Sequence, residues 1–191
     1  MKYMQNGAHQ KNPMMQLTLW FTLLLLTAFV ATNFFLYLSK MNFAPASVIS
    51  YYNGSEEEFR PPRSYQSMLE VTHGHLAMMA MVLLFLTHLV LFAPYSRRKK
   101  ILIISIAFLS ALFNEASGWL VRFVHPQFAL LKIISFLSLQ SSLIFLIVAL
   151  GIFLLHSAKD GEAFSSIGKV RRDTENQFDD ALHHHKSEPH R

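Results

Sequence analysis

The sequence predicts an all-α integral membrane protein, a four-helix bundle with both termini in the cytoplasm. Of its 191 residues, 52% are hydrophobic and only 15% are charged, which is too apolar for an ordinary soluble domain. The apolar residues fall into four blocks, each close to the roughly 20 residues that cross about 30 Å of hydrocarbon. Because backbone in lipid must satisfy its own hydrogen bonds, each block is expected to form a helix.

Composition also excludes several classes of function. The chain has no cysteine, so disulfides, thiolate metal sites and covalent c-type haem attachment are excluded. The net charge of +5 comes from basic residues that flank apolar segments, which favours membrane lipid over nucleic acid as the partner. The sequence shows no nucleophile with its base and no phosphate-binding loop, so we assign no catalytic residue and expect no autonomous enzymatic activity.

The four predicted spans cover about residues 17–38, 75–94, 101–121 and 128–155, within one domain of residues 1–158. The first block is longer than the apolar core of a secretory signal and lacks a small-residue cleavage site, so a retained helix is predicted. Residues 159–191 have mixed charges and no apolar periodicity, which predicts a disordered cytoplasmic tail. His156, at the end of the fourth span, receives no role.

The connection between the first two spans carries clear boundary signals. Pro61 and Pro62 require an extended or turning backbone, and Ser64 is a plausible N-cap for a second helix that runs to Pro94. Upstream, residues 46–52 are predicted to form a short interfacial helix that ends at Gly54.

The orientation follows from the distribution of basic residues. The densest basic cluster beside any apolar block is Arg97-Arg98-Lys99-Lys100, and the positive-inside rule places it in the cytoplasm. Both termini then face the cytoplasm, while the acidic first loop faces the other side. The lack of eukaryotic targeting signals favours a bacterial inner membrane.

Two histidines of the second helix suggest a cofactor. His73 and His88 differ by about 60° around the helix and about 22 Å along it, so they share a side at opposite membrane depths. Two imidazoles placed in this way suit two stacked haems, each taking its second axial ligand from another helix. The spacing resembles the histidine pair of b-type cytochromes, which implies haem b. His75 lies on nearly the opposite side from His73 and is expected to face away from the bundle interior.

The leading hypothesis is therefore a b-type haem-binding electron-transfer subunit of a larger membrane complex. His125 follows the third span on the same side as His73 and is a candidate second ligand, and Arg122 is a candidate partner for a haem propionate or a lipid phosphate. Alternatively, His88 bonds a neighbouring helix without any cofactor. The protein is then a non-catalytic membrane subunit or assembly factor.

A second alternative is an outward-facing metal site. Glu70 and His73 share a helix face at i, i+3, and His125 would add a third ligand of a kind that suits zinc, copper or iron. Glu115, inside the third span, is expected to be paired or to face water. Its predicted role is a proton relay or a contact between helices.

Several segments between residues 51 and 129 carry a resemblance to other proteins: Tyr51-Tyr52-Asn53-Gly54, Phe59-Arg60-Pro61-Pro62-Arg63-Ser64, Leu69-Glu70-Val71-Thr72-His73-Gly74-His75, His88, and Trp119-Leu120-Val121-Arg122 before Pro126. With these segments, the chain resembles a small bacterial four-span membrane-protein family without an established activity. That likeness implies a fold and does not imply a reaction.

Overall fold

The computed structural model describes residues 13–93 and 95–155, and the described chain is helical without a β-strand. The helices are α1 (Pro13–Lys40), α2 (Pro45–Asn53), α3 (Tyr65–Val90), α4 (Arg97–Phe123) and α5 (129–155), with a 3₁₀ turn at Pro126–Phe128 before α5. Four of them, α1, α3, α4 and α5, are long and apolar enough to cross a membrane. The predicted all-α class with four spans is confirmed, and the orientation of the termini stays a prediction.

Residues 18–151 form one compact unit, and all contacts discussed below lie within it. The described residues 13–17 and 152–155 fall outside this unit. His156 and the predicted tail from residue 159 lie outside the described residues.

The predicted helix boundaries around the first loop are confirmed. The Ser64 side chain accepts a hydrogen bond from the Ser67 backbone N–H at 3.2 Å, so it caps the N-terminus of α3. Gly54 follows α2 with a φ of 87°, a left-handed backbone that favours glycine. A Cβ atom at Gly54 would lie 2.7 Å from the Arg60 carbonyl oxygen, so the turn has no room for a larger residue at this position.

Two hydrogen bonds join α2 and the loop after it to the C-terminal end of α4, and a third joins the loop to α2. The Asn53 side chain donates to the Val121 carbonyl at 3.3 Å, and the Arg63 backbone N–H donates to the Tyr52 carbonyl at 3.0 Å. Arg122 donates through Nε to the Arg63 carbonyl at 2.8 Å. These bonds hold α2 against the C-terminal end of α4. The basic cluster Arg97-Arg98-Lys99-Lys100 lies at the opposite, N-terminal end of α4.

An aromatic contact joins α1 to α5 beside α2. The rings of Tyr37 and Phe136 stack with centroids 4.0 Å apart, and Phe34 meets Phe136 edge-on at 5.6 Å. The buried cluster around them consists of Tyr37, Met41, Val48, Tyr52, Met68, Val121, Ala129, Ile133 and Phe136. A buried hydrophobic cluster therefore lies at the end of the unit covered by α2.

Candidate functional site: a polar cavity among the helices

A cavity of about 280 Å³ lies among α1, α2, α3, α4 and α5, close to the lower limit of roughly 300 Å³ for small-molecule sites. We call it the polar cavity. Its lining includes the hydrogen-bonding side chains of Arg63, Thr72, His75, Asn114, Glu115 and Lys132. Ionisable groups within membrane spans are costly and mark functional sites by default. The polar cavity is therefore the candidate site.

Lys132 on α5 is the most deeply buried charged group of the site, with 8% of its surface exposed. Its ammonium donates to the backbone carbonyl of Asn114 at 2.7 Å and to the Asn114 side-chain oxygen at 3.0 Å. A lysine ammonium has three donors, so Asn114 leaves one of them for another acceptor. Since Lys132 lines the polar cavity, a ligand bound there would accept the remaining hydrogen bond of the ammonium.

Glu115 on α4 is held by side chains of α3. Thr72 donates to Glu115 Oε1 at 2.5 Å and accepts from the Trp119 indole at 2.8 Å. The Nδ1 atom of His75 lies 3.3 Å from Glu115 Oε2, and the two side chains are 62% and 14% exposed, respectively. Glu115 thus makes a contact between helices, one of the two roles predicted for it, and His75 connects it to the surface of the unit.

The charges around the polar cavity are unbalanced. Its charged lining consists of three cations, Lys40, Arg63 and Lys132, and one carboxylate, Glu115. Glu115 interacts electrostatically with Lys132, while the Arg63 guanidinium lies 4.4 Å above the ring of Tyr51. Over the described part of the chain, neither Arg63 nor Lys132 forms a direct ion pair with a carboxylate. The site therefore has an excess of positive charge.

Two buried polar atoms at the polar cavity also lack partners among the described residues. They are Asn33 Nδ2, a donor, and Gln140 Oε1, an acceptor; Gln140 is only 1% exposed. Buried polar groups are almost always hydrogen-bonded, so both atoms indicate a missing partner. Tyr52 also lines the cavity, and burial raises the pKa of its phenol, which keeps it a neutral donor.

The prediction that His73 and His88 face the bundle interior is wrong. Both are exposed on α3 of the described chain, and Glu70 is exposed as well. The buried residues of α3 are instead Met68, Val82, Leu83, Leu86, Thr87 and Val90. His75, expected to face away from the bundle interior, is exposed, but its imidazole reaches Glu115 of α4. His73 and His88 do share a side, but packing against α4 turns the other side inward. Haem ligation by His73 and His88 stays a prediction.

The predicted metal ligands do not come together. Glu70 accepts from the Gln66 side chain at 3.1 Å, and His125 Nδ1 accepts from the Gln127 backbone N–H at 3.2 Å. Within residues 13–93 and 95–155, no three histidine, aspartate or glutamate side chains are grouped to hold a metal ion. Arg122, the predicted propionate or phosphate ligand, holds the loop through its Nε atom.

Lys132 was missed in the sequence, although a signal for it was present. It is the one lysine inside the apolar block of residues 128–155, and Gln140 follows it in the same block. Intramembrane ionisable residues are functional candidates regardless of motif. A search for haem or metal ligands overlooks lysine because its ammonium is not a typical ligand.

Comparison with known proteins supports the membrane assignment. Residues 42–161 match the family Aq_1264_TM, described as a transmembrane helical domain. The chain belongs to this family. The Aq_1264_TM match includes Arg63, Glu115 and Lys132 and begins after α1. No curated protein and no solved structure matches the chain.

Proposed function

We propose that this Aq_1264_TM protein binds an anionic amphiphile, with the head group in the polar cavity. The observation that carries the proposal is the lining of that cavity by Lys40, Arg63 and Lys132 against the single carboxylate of Glu115. Charges interact more strongly at low dielectric than in water. A phosphate or carboxylate head group would therefore be stabilised by this excess of cations.

The available donors suit such a head group. Lys132 has one N–H beyond the two that bond Asn114, and a guanidinium such as that of Arg63 binds phosphate or carboxylate bidentately. Asn33 Nδ2 supplies a further buried donor, while Gln140 Oε1 requires a donor from the ligand. A phosphate monoester or a hydroxylated head group offers both acceptors and a hydroxyl donor.

The rest of the lining favours an amphiphile over a free anion. Between the polar groups, the polar cavity is lined by apolar side chains that include Phe29, Met78, Phe136 and Leu139. Apolar surface of this kind stabilises hydrocarbon and contributes nothing to a small hydrated anion. We place the protein in a bacterial inner membrane as a non-catalytic subunit or assembly factor, with membrane lipid as the source of the ligand.

Ligand-induced stabilisation tests this proposal. The protein is purified in glyco-diosgenin, a detergent without a linear alkyl chain, and its thermal unfolding is followed with dodecyl phosphate, dodecyl maltoside or inorganic phosphate. We expect saturable stabilisation by dodecyl phosphate alone, by about 2.7 kcal/mol at a hundredfold excess over Kd. Equal stabilisation by dodecyl maltoside would show that binding does not require an anionic head group. Equal stabilisation by inorganic phosphate would show that binding does not require a hydrocarbon chain.

The electron-transfer hypothesis is kept as a second candidate because His73 and His88 share the exposed side of α3. From there, each imidazole would ligate a haem between this chain and another subunit of a complex. A reduced-minus-oxidised visible spectrum of the protein purified with its partners is expected to show b-type haem, altered in His73→Ala and His88→Ala. Identical spectra in these variants and in His125→Ala would reject the ligand assignment.

A further inference from the structure

A second, apolar cavity of about 300 Å³ lies between α3 and α4. We call it the α3/α4 groove. Its apolar lining includes Leu76, Ala80 and Leu83 of α3 and Phe108, Ala111 and Leu112 of α4. The small side chains of Ala80 and Ala111 leave space between the two helices at this level. The groove is thus a slot of hydrocarbon character within two membrane spans.

The α3/α4 groove adjoins the polar cavity. The two share the lining residues His75, Met79, Asn114 and Glu115. From Glu115 the groove extends along α4 to Phe108, a distance of about 10 Å at 1.5 Å per residue. This direction leads from the α2 end of the bundle toward the middle of the spans. A molecule with its head group in the polar cavity would therefore direct its hydrocarbon chain toward the bilayer centre, as a lipid does.

We propose that the α3/α4 groove holds the hydrocarbon chain of the bound amphiphile, and that the ligand has a single chain. This inference rests on the proposed function, because the groove alone does not specify an anionic molecule. The polar cavity supplies charge complementarity for the head group, and the adjoining slot supplies apolar surface for one extended chain.

The contact of His75 with Glu115 lies at the junction of the two cavities. Both side chains line the polar cavity and the α3/α4 groove, and the imidazole is 62% exposed. This contact therefore marks the place where the head group and the hydrocarbon chain of the bound amphiphile would meet.

A chain-length comparison in two matched variants tests the inference. Ala80→Trp fills the groove, whereas Ala77→Trp adds the same bulk at an exposed position of α3 that lines neither cavity. In glyco-diosgenin, we expect Ala80→Trp to weaken dodecyl phosphate binding about tenfold and butyl phosphate binding less than about twofold. Ala77→Trp should leave both affinities unchanged. Each alkyl phosphate partitions into detergent micelles to the same extent with either variant. The ratio of the affinities of two variants for one alkyl phosphate is therefore independent of that partitioning.

The outcomes separate this inference from the proposed function. If wild type binds both alkyl phosphates and Ala80→Trp leaves dodecyl phosphate binding unchanged, the chain does not lie in the groove, although head-group binding stands. If wild type binds neither, the proposed function itself fails. Should Ala80→Trp not fold, dodecyl phosphate with a diazirine at the chain end is crosslinked to wild type. Labels within residues 76–83 or 108–112 support the inference, and labels confined to other segments overturn it.

Discussion

Replacing Lys132 with methionine is expected to lower the free energy of unfolding by about 3 kcal/mol or more. The substitution leaves the side-chain oxygen of Asn114 without its donor, while the Asn114 backbone carbonyl keeps only the Ser117 hydroxyl as a side-chain donor. It also removes the cation that compensates the Glu115 carboxylate. Thermal unfolding followed by circular dichroism in glyco-diosgenin measures the effect, and a decrease in Tm of roughly 6 °C or more is expected.

Two further variants make this result specific to the buried lysine. Lys100 also donates to a backbone carbonyl, that of Leu91 at 2.7 Å, but at an exposed site, so Lys100→Met should change stability by less than about 0.5 kcal/mol. The double variant Lys132→Met with Glu115→Gln should lose less stability than the two single variants added together, because the charges interact. Full stability of Lys132→Met, or strict additivity with Glu115→Gln, would contradict the described electrostatics.

Replacing Thr72 with valine is expected to cost between about 1 and 3 kcal/mol of stability. The hydroxyl of Thr72 both donates to Glu115 and accepts from the Trp119 indole, so its loss leaves two groups unpaired between α3 and α4. Thr87 is the matched control on the same helix, since it is buried but donates to the Leu83 carbonyl one turn earlier. Thr87→Val should therefore be close to neutral.

The same thermal unfolding measurement compares these two threonine variants. Indole fluorescence adds a local signal, because Trp119 loses its acceptor only in Thr72→Val. Equal losses of stability in Thr72→Val and Thr87→Val would mean that the hydrogen bonds to Glu115 and Trp119 do not hold the two helices together.

The overall fold was accessible from local signals in the sequence. The four apolar blocks are long enough to predict four spans, Ser64 predicts the start of α3, and Gly54 predicts the end of α2. Each of these signals depends on the chemistry of residues close together in the chain. They do not depend on how the helices are rotated against one another, which is why they could be interpreted without a structure.

Helix rotation is what the sequence left open. His73 and His88 share a side, but the sides of α3 differ little in hydrophobicity, so hydropathy alone does not tell which side packs. The available signal for the side that contacts α4 was the pair of polar side chains Thr72 and His75, three residues apart. It becomes decisive only when Glu115 and Trp119 are known to lie opposite.

The polar cavity was less predictable because its charges are remote in sequence. Lys40, Arg63, Glu115 and Lys132 belong to α1, the first loop, α4 and α5. No local motif contains two of these charges, and their mutual position depends on tertiary packing. The feature that was visible, a lysine within an apolar block, indicates a functional position without indicating its partner.

The affinity of the wild-type protein for dodecyl phosphate, compared with those of Arg63→Gln and Arg60→Gln, tests the central claim most directly. Both arginines belong to the first loop, but Arg63 lines the polar cavity, whereas Arg60 pairs with Glu58 at 3.2 Å outside it. We expect a Kd about tenfold weaker for Arg63→Gln, since a hydrogen bond to a charged group contributes about 1.5 to 3 kcal/mol. Arg60→Gln should match the wild type. Equal affinities for all three proteins, or no binding by the wild type, would contradict an anion site in the polar cavity.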